Sequence, residues 1–193
     1  TAAFLVSIFQ RMYAEPDWRH RKTLILAPTR ELAAQIEEEA QKLARHLDVK
    51  IASFFGGVSY GPQVDALRNG AQMLVGTPGR IIDLVQQGKM MLGDVGFLVV
   101  DEADRMFDMG FVDDLRKLLR YLPSAERRQT YLFSATLNFR VKNLAWEYMH
   151  EPKEIVIAAE TVTVDMVTQE LYHVGAHEKM RVLLGILERE KPK

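Results

Sequence analysis

The chain has 193 residues, a length that suits one domain of ordinary to large size. Hydrophobic residues make up 48% of it and charged residues 26%, which is typical of a globular protein and argues against a disordered or membrane-embedded one. The 25 Lys and Arg residues nearly balance the 26 Asp and Glu residues, so any surface for a polyanion must be local. The lack of cysteine excludes disulfides and thiolate metal sites.

The first predicted element is an amphipathic helix over residues 1–14. Its apolar residues recur at helical spacing, and it has neither a basic leading segment nor an initiator Met, so it does not resemble a signal peptide. We therefore expect the chain to begin within a domain. No apolar run approaches the length of a transmembrane helix.

Helical and extended patterns then alternate along the chain. Helices are predicted over residues 30–47, 61–69, 80–87, 107–122, 138–150 and 178–189. Strands are predicted over residues 23–27, 50–55, 71–75, 97–100, 129–133 and 154–158, with an extended segment at 168–174. Residues 15–22 read as an exposed loop. The alternation predicts an α/β fold with a doubly wound, mostly parallel sheet and helices on both faces.

Domain limits follow from the same patterns. Residues 1–158 hold the alternating elements and form one predicted domain. Residues 159–165 are rich in Thr and Val with little periodicity, which indicates a linker. We therefore expect residues 159–193 to comprise this linker and the beginning of a second domain.

Three carboxylates follow the apolar strand at residues 97–100. They are Asp101, Glu102 and Asp104, at the strand end where open α/β sheets bind their ligands. Such a cluster needs a cation, a network of hydrogen-bond donors, or both. The alternative is that these residues only cap the following helix and favour its dipole.

The other strands also end in small polar or glycine-containing turns. In a parallel sheet these ends share one edge, where glycines admit a ligand and helix N-termini offer N–H groups to anions. Arg30 and Arg80 add the fork geometry that suits phosphate. Any single turn could need its Gly, Pro or Thr for conformation alone. Five such turns with two arginines favour a phosphate-bearing ligand.

These motifs resemble the first RecA-like domain of DEAD-box RNA helicases, a fold of the P-loop NTPase type. The matches stand in the family order as PTREL at 28–32, GG at 56–57, TPGR at 77–80, DEAD at 101–104 and SAT at 134–136. The segments DEADRM, SATLNFRVKNLA and EKMRVLLGILERE look most similar to bacterial RhlB-type helicases.

The resemblance implies a role for each motif. Asp101 would hold Mg²⁺, through water, at the phosphates of ATP, and Glu102 would position and deprotonate the attacking water. Asp104 would join Ser134 and Thr136 in a network that links nucleotide state to RNA binding. Seven residues would contact the RNA backbone without reading its sequence, namely Pro28, Thr29, Arg30, Gly57, Thr77, Gly79 and Arg80. Arg105 is an RNA candidate that could equally form a surface salt bridge.

The phosphate-cradling motif GxxxxGK[ST] does not occur in these 193 residues. Thr1, at the head of a predicted helix, looks like the last residue of that motif and would then be a second Mg²⁺ ligand. The arginines that a second domain contributes to hydrolysis are absent as well. We therefore expect these residues alone not to hydrolyse ATP.

The resemblance thus implies a cytoplasmic RNA-dependent ATPase that separates short RNA duplexes, with ATP and Mg²⁺ as cofactors. An ATP-gated RNA clamp with incidental unwinding is the alternative. By resemblance to RhlB-type proteins, a degradosome containing ribonuclease E is a possible partner and RNA degradation a possible role. A metal site at His173 and His177 is disfavoured because Gly175 lies between them and no carboxylate motif accompanies them. Phe107, Met109 and Phe111 are expected to pack against the sheet.

Overall fold

The computed structural model describes residues 1–157 and 170–191 of the chain. It divides the chain into two compact units, Thr1–Lys153 and Glu154–Lys193. The first unit contains the sheet, and the second contains one helix among its described residues.

A five-stranded sheet forms the centre of the first unit. Its strands are β1 Lys22–Leu26, β2 Ile51–Phe54, β3 Met73–Gly76, β4 Val95–Val100 and β5 Gln129–Leu132. All neighbouring strands are parallel, in the order β2-β3-β1-β4-β5. The helices of this unit are α1 Ala2–Ala14, α2 Pro16–Arg19, α3 Arg30–Leu43, α4 Tyr60–Arg68, α5 Pro78–Gln86, α6 Ala103–Asp108, α7 Val112–Leu119 and α8 Phe139–Tyr148. A single 3₁₀ turn lies at Ala125–Arg127.

Two hydrophobic cores cover the two faces of the sheet. Successive strand side chains point to opposite faces, so Leu24 and Leu26 of β1 enter one core and Ile25 enters the other. Helices α1 and α3 supply the core that contains Ile25, and α4 to α8 supply the other. The predicted doubly wound sheet with helices on both faces is confirmed, and every strand pair is parallel.

The strand β4 is buried along its whole length. It begins two residues before the predicted strand because Gly96 allows close packing: a Cβ there would lie 2.7 Å from the Cβ of Arg21. Next to it, the Trp18 ring packs on Phe97 with centroids 4.8 Å apart. The prediction of an exposed loop at residues 15–22 was wrong in part: most of these residues are exposed, but the segment contains α2 and places Trp18 against β4.

The predicted helix at residues 107–122 is two helices. The helix α6 begins earlier, at Ala103, and the chain turns at Gly110, which has φ 78° and separates α6 from α7. Phe107 and Phe111 pack against the core as predicted, whereas Met109 is 48% exposed. That part of the prediction was wrong because Met109 lies at the turn between the helices and not on the buried stripe of either.

The second unit departs from one further prediction. Residues 154–157 do not form a strand, and Ile155, Val156 and Ile157 are all exposed. These residues have no paired neighbour among the described strands, so nothing holds them extended in a sheet. Residues 170–174 also lack regular structure, and α9 spans Lys179–Glu190, close to the prediction. Position 158, the predicted linker at 159–165 and positions 168 and 169 lie outside the described residues.

Other predicted bounds differ by one to four residues. The largest such change is in α3, which ends at Leu43, four residues before the predicted limit. After Leu43 the chain continues as hydrogen-bonded turns, with the Leu47 N–H donating to the Ala44 carbonyl over 2.8 Å. Helix ends commonly loosen into such turns.

Candidate functional site

The strand order decides how the motif turns lie along the carboxyl-terminal edge of the sheet. Across the sheet the order is the Gly57 turn after β2, the Thr77 turn after β3, the Arg30 turn after β1, Asp101 after β4 and Ser134 after β5. The residues predicted for RNA therefore follow three adjacent strands, and those predicted for the nucleotide follow the other two. The predicted grouping of all five turns at one edge is confirmed.

Asp101 is half-buried at the end of β4. Its N–H donates to the Leu26 carbonyl over 3.0 Å, and its Oδ1 accepts from the Glu102 N–H at 3.0 Å. Burial raises the pKa of this carboxyl, against the smaller opposing effects of the Thr1 terminal ammonium and the Glu102 N–H.

Glu102 adopts a left-handed backbone conformation, with φ 49° and ψ 51°. A residue with a Cβ pays about 1–2 kcal/mol for this conformation. Its carboxylate is 40% exposed and pairs with the Arg105 guanidinium at 3.3 Å, so Arg105 forms the predicted alternative, a surface salt bridge. Non-glycine residues held in this region concentrate at functional sites.

Asp104 is bonded to the turn that follows β5. Its Oδ2 accepts from both the N–H and the hydroxyl of Thr136, over 3.0 and 2.9 Å. Its own N–H donates to the Ser134 hydroxyl over 3.3 Å, and that hydroxyl donates to the Thr136 carbonyl over 2.8 Å. The three residues predicted to share a network are therefore in direct contact.

The charge of Asp104 follows from these contacts. Partial burial raises the pKa of its carboxyl, but the hydrogen bonds that it accepts from the hydroxyl and N–H of Thr136 and from the Arg105 N–H outweigh this effect, so the pKa lies below its ordinary value. Asp104 therefore stays ionised at neutral pH, whereas the pKa of Asp101, three residues earlier, is shifted in the opposite direction.

The turn after β1 brings Arg30 to the turn after β2. Gly57 has φ 82°, and a Cβ added to it would lie 3.4 Å from Nη1 of Arg30. Arg30 is exposed and pairs with Glu31 over 2.6 Å. Pro28 is buried and the Thr29 hydroxyl caps α3 by accepting from the Leu32 N–H, so these two residues shape the turn.

Arg80 joins the turn after β3 to the same loop. Its two terminal nitrogens donate to the Val58 carbonyl over 3.3 and 3.2 Å. Gly79 is exposed, and a Cβ there would meet no atom within 4 Å. Thr77 begins α5 without a capping hydrogen bond from its side chain, so its half-buried hydroxyl is not committed to the helix.

Sequence reasoning missed Gln63, which holds the loop after β2. The side chain is 6% exposed, and its Nε2 donates to the carbonyls of Phe55 and Ser59 over 3.3 and 3.4 Å. These bonds fix both ends of the segment that contains Gly57 and Val58. A lone Gln in an early helical turn carries no signal of this role, because its partners are backbone atoms of a preceding loop.

Other candidate residues and cavities lie outside this edge. Among residues 1–157 and 170–191 no group of three His, Asp or Glu side chains is placed to hold a metal, and His173 and His177 are exposed. A depression of about 420 Å³ lies at the opposite edge of the sheet and contains none of the motif residues. In the described part of the chain, none of the helices combines the length and apolar character needed to cross a membrane.

Comparison with known proteins gives the family. The family model for "DEAD/DEAH box helicase" matches residues 1–144. The ATP-dependent RNA helicase RhlB of Shewanella sp. (strain ANA-3) is 44% identical over all of this chain and 45% of its own length. RhlB of Xanthomonas campestris pv. campestris (strain B100) is 46% identical over 99% of this chain and 34% of its own length.

Solved structures agree with this match. A DEAD box protein from Methanococcus jannaschii is 36% identical with a TM-score of 0.66, over 86% of this chain and 44% of that one. A hypothetical ATP-dependent RNA helicase from Sulfolobus tokodaii is 33% identical with a TM-score of 0.69, over 79% of this chain and 43% of that one. The chain spans less than half the length of these relatives. It belongs to the DEAD/DEAH box helicase family.

Proposed function

We propose that this chain belongs to an ATP-dependent RNA helicase and provides its RNA-backbone surface together with the carboxylates for ATP hydrolysis. The observation that carries the proposal is the pair of hydrogen bonds from Thr136 to Asp104. They join the carboxylates after β4 to the turn after β5, at the same edge of the sheet as Arg30 and Arg80. A hydrolytic group and a phosphate-binding surface thereby share one rigid edge.

The RNA side rests on the turns after β2, β3 and β1. The exposed Arg30 and the half-buried Arg80 flank the Gly57 loop, and each guanidinium can donate to phosphate oxygens. Contacts to phosphate and sugar position a strand without reading its bases, so binding is independent of sequence. The near-zero net charge of the chain makes this local concentration of cations the source of affinity.

The nucleotide side rests on the ends of α1 and β4. A magnesium ion prefers one or two carboxylates plus substrate phosphates over a cage of protein ligands. Asp101 fits this preference as a half-buried carboxylate with no cluster of further ligands in the described residues, and the Thr1 hydroxyl at the start of α1 makes no capping bond. We propose Asp101, through water, and Thr1 as the residues that hold Mg²⁺, which would neutralise charge on the ATP phosphates.

Glu102 is the proposed general base. Its carboxylate accepts a proton from the attacking water as the water oxygen bonds to the γ-phosphorus and the bond from phosphorus to the β,γ-bridging oxygen breaks. The half-exposed carboxylate is reachable by water, and its pairing with Arg105 keeps it oriented. Asp104, Ser134 and Thr136 are proposed to report the nucleotide state to the rest of the edge.

The domain limits, partner and location remain proposals. Residues 1–158 are assigned to a RecA-like domain and 159–193 to a linker and the start of another, which the division at Lys153 supports without testing it. A role in RNA degradation with a ribonuclease E-containing assembly, and a cytoplasmic location, rest on resemblance to RhlB-type proteins.

A chimera tests the proposal, in which these 193 residues replace the matching segment of the Shewanella RhlB. Glu102→Gln should lower RNA-stimulated ATP turnover by about 10²-fold or more while ATP-dependent RNA binding persists. Glu38→Gln on the exposed face of α3 is the matched control and should leave turnover unchanged. Normal turnover by the Glu102→Gln chimera would remove Glu102 as the base. ATP-dependent RNA binding without strand separation by the unmodified chimera would favour a clamp over a helicase.

A further inference from the structure

The aromatic ring of Tyr60 lies between two cations next to the proposed RNA edge. The guanidinium carbon of Arg80 is 4.1 Å from the ring centroid, and Nζ of Lys89 is 5.4 Å from it. The ring is 38% exposed, and its hydroxyl donates to Asp83. Both cations lie within the range in which an aromatic face attracts a positive charge.

These residues follow the outer face of α5. Arg80, Asp83 and Gln87 are spaced i, i+3 and i+7, which places them along one side of a helix. Lys89 comes directly after Gly88, whose φ of 67° turns the chain at the end of the helix. We call Tyr60, Arg80, Asp83, Gln87 and Lys89 the α5 cluster. Because a helix between parallel strands returns from the carboxyl edge of the sheet to the amino edge, the α5 cluster extends from the RNA edge along α5.

The cluster keeps donors available for a polyanion. Both carboxylate oxygens of Asp83 already accept hydrogen bonds, one from Tyr60 and one from Gln87 over 2.6 Å. Two cations therefore face one anion that is already satisfied, and the local charge is positive. Arg80 donates two of its five N–H groups to the Val58 carbonyl and retains three for a phosphate.

We propose that Lys89 provides a further phosphate contact and that Tyr60 is the positioning residue that holds Arg80 toward the strand. The RNA backbone then continues past the motif turns and along the outer face of α5. The ligand is a single-stranded RNA backbone, and neither residue reads a base. This inference rests on the proposed function, since it extends the same surface.

The test for Lys89 measures fluorescence anisotropy of a labelled single-stranded RNA with the 193-residue chain across salt concentrations. Lys89→Gln should weaken binding two- to fivefold at low salt. It should also lower the slope of log affinity against log salt by about 0.7, equally for different RNA sequences. Lys50→Gln is the matched control, because Lys50 is an exposed lysine just before β2 whose ammonium donates to the Asn69 carbonyl and not to a group on α5, and it should change neither value.

The test for Tyr60 uses the conservative variant and a double-mutant cycle. Tyr60→Leu should weaken binding about two- to fivefold, and Tyr60→Phe should restore it because the ring is retained. In an Arg80→Gln background Tyr60→Leu should cost nothing further, since its effect acts through Arg80. Additive losses would overturn the positioning role.

The possible failures are distinguishable. If the unmodified chain binds RNA and Arg80→Gln weakens it while Lys89→Gln matches Lys50→Gln, the extension along α5 is wrong and the proposed function stands. If the unmodified chain does not bind RNA even at low salt, the RNA role of this edge and the extension both fail.

Discussion

Replacing Glu102 with glycine should leave the stability of the chain nearly unchanged although it removes a proposed catalytic group. The left-handed conformation at φ 49° costs a residue with a Cβ about 1–2 kcal/mol, which glycine does not pay. Glycine also loses more conformational entropy on folding, which lowers the free energy of unfolding by about 0.5–1 kcal/mol. The exposed pair with Arg105 and the charge at the start of α6 are worth a few tenths of a kcal/mol each.

The net expectation for Glu102→Gly is a change of less than about 0.5 kcal/mol in the free energy of unfolding, or less than about 1–2 °C in melting temperature. The sharper measurement compares Glu102→Gly with Glu102→Ala by chemical denaturation, because both lose the side chain and only alanine keeps the strain. At an ordinary helical position alanine is the more stable by about 1 kcal/mol. Here the order should reverse.

Glu151 provides a matched control, since it is an exposed glutamate with φ 44° outside the candidate site. Glu151→Gly should also be more stable than Glu151→Ala, and in the chimera it should leave ATP turnover unchanged while Glu102→Gly abolishes it. An alanine variant at Glu102 that is more stable than the glycine variant would refute the strain argument.

Three further outcomes follow from the same edge. The pKa of Asp104 is lowered in the fold, so the stabilisation by its charge is present above the unfolded pKa and is lost as pH falls through the folded pKa. In denaturant titrations, the Asp104→Asn variant should therefore lose less stability between pH 7 and pH 3 than the unmodified chain does. The pKa of Asp101 is raised by burial, so the destabilisation from burying its charged carboxylate is absent at low pH and complete above the folded pKa. Asp101→Asn should therefore stabilise the chain at pH 7 and not at pH 3. Stabilisation at both pH values would contradict this sign. Gly57→Ala, at φ 82°, should cost about 1 kcal/mol in thermal unfolding, whereas Gly56→Ala, which meets no atom within 4 Å, should cost far less.

The fold was largely predictable because its signals are local. The continuous apolar run of β4 indicates a strand covered on both faces, and the alternation of strands with amphipathic helices indicates parallel crossovers. The errors arose where a tertiary contact overrides the local pattern. Trp18 lies in a polar and mostly exposed segment, but its own ring packs on Phe97 of β4.

The grouping of candidate site residues was predictable in one respect only. The motif sequences and the parallel sheet together predicted that Asp104, Ser134 and Thr136 lie at one edge, and the hydrogen bonds among them agree with this prediction. The bonds of Gln63 and the cations around Tyr60 were not predictable, because each joins residues whose separation in sequence carries no periodic signal.

The sequence alone determined which residues stand at strand ends and which family they resemble, because turn chemistry and helical spacing act over a few residues. Only the tertiary structure decided the strand order, which places the turns after β2, β3 and β1 on one side and those after β4 and β5 on the other. It also decided the left-handed backbone of Glu102 and the opposite pKa shifts of Asp101 and Asp104. These depend on burial and on donors from distant segments, which are properties of the packed chain.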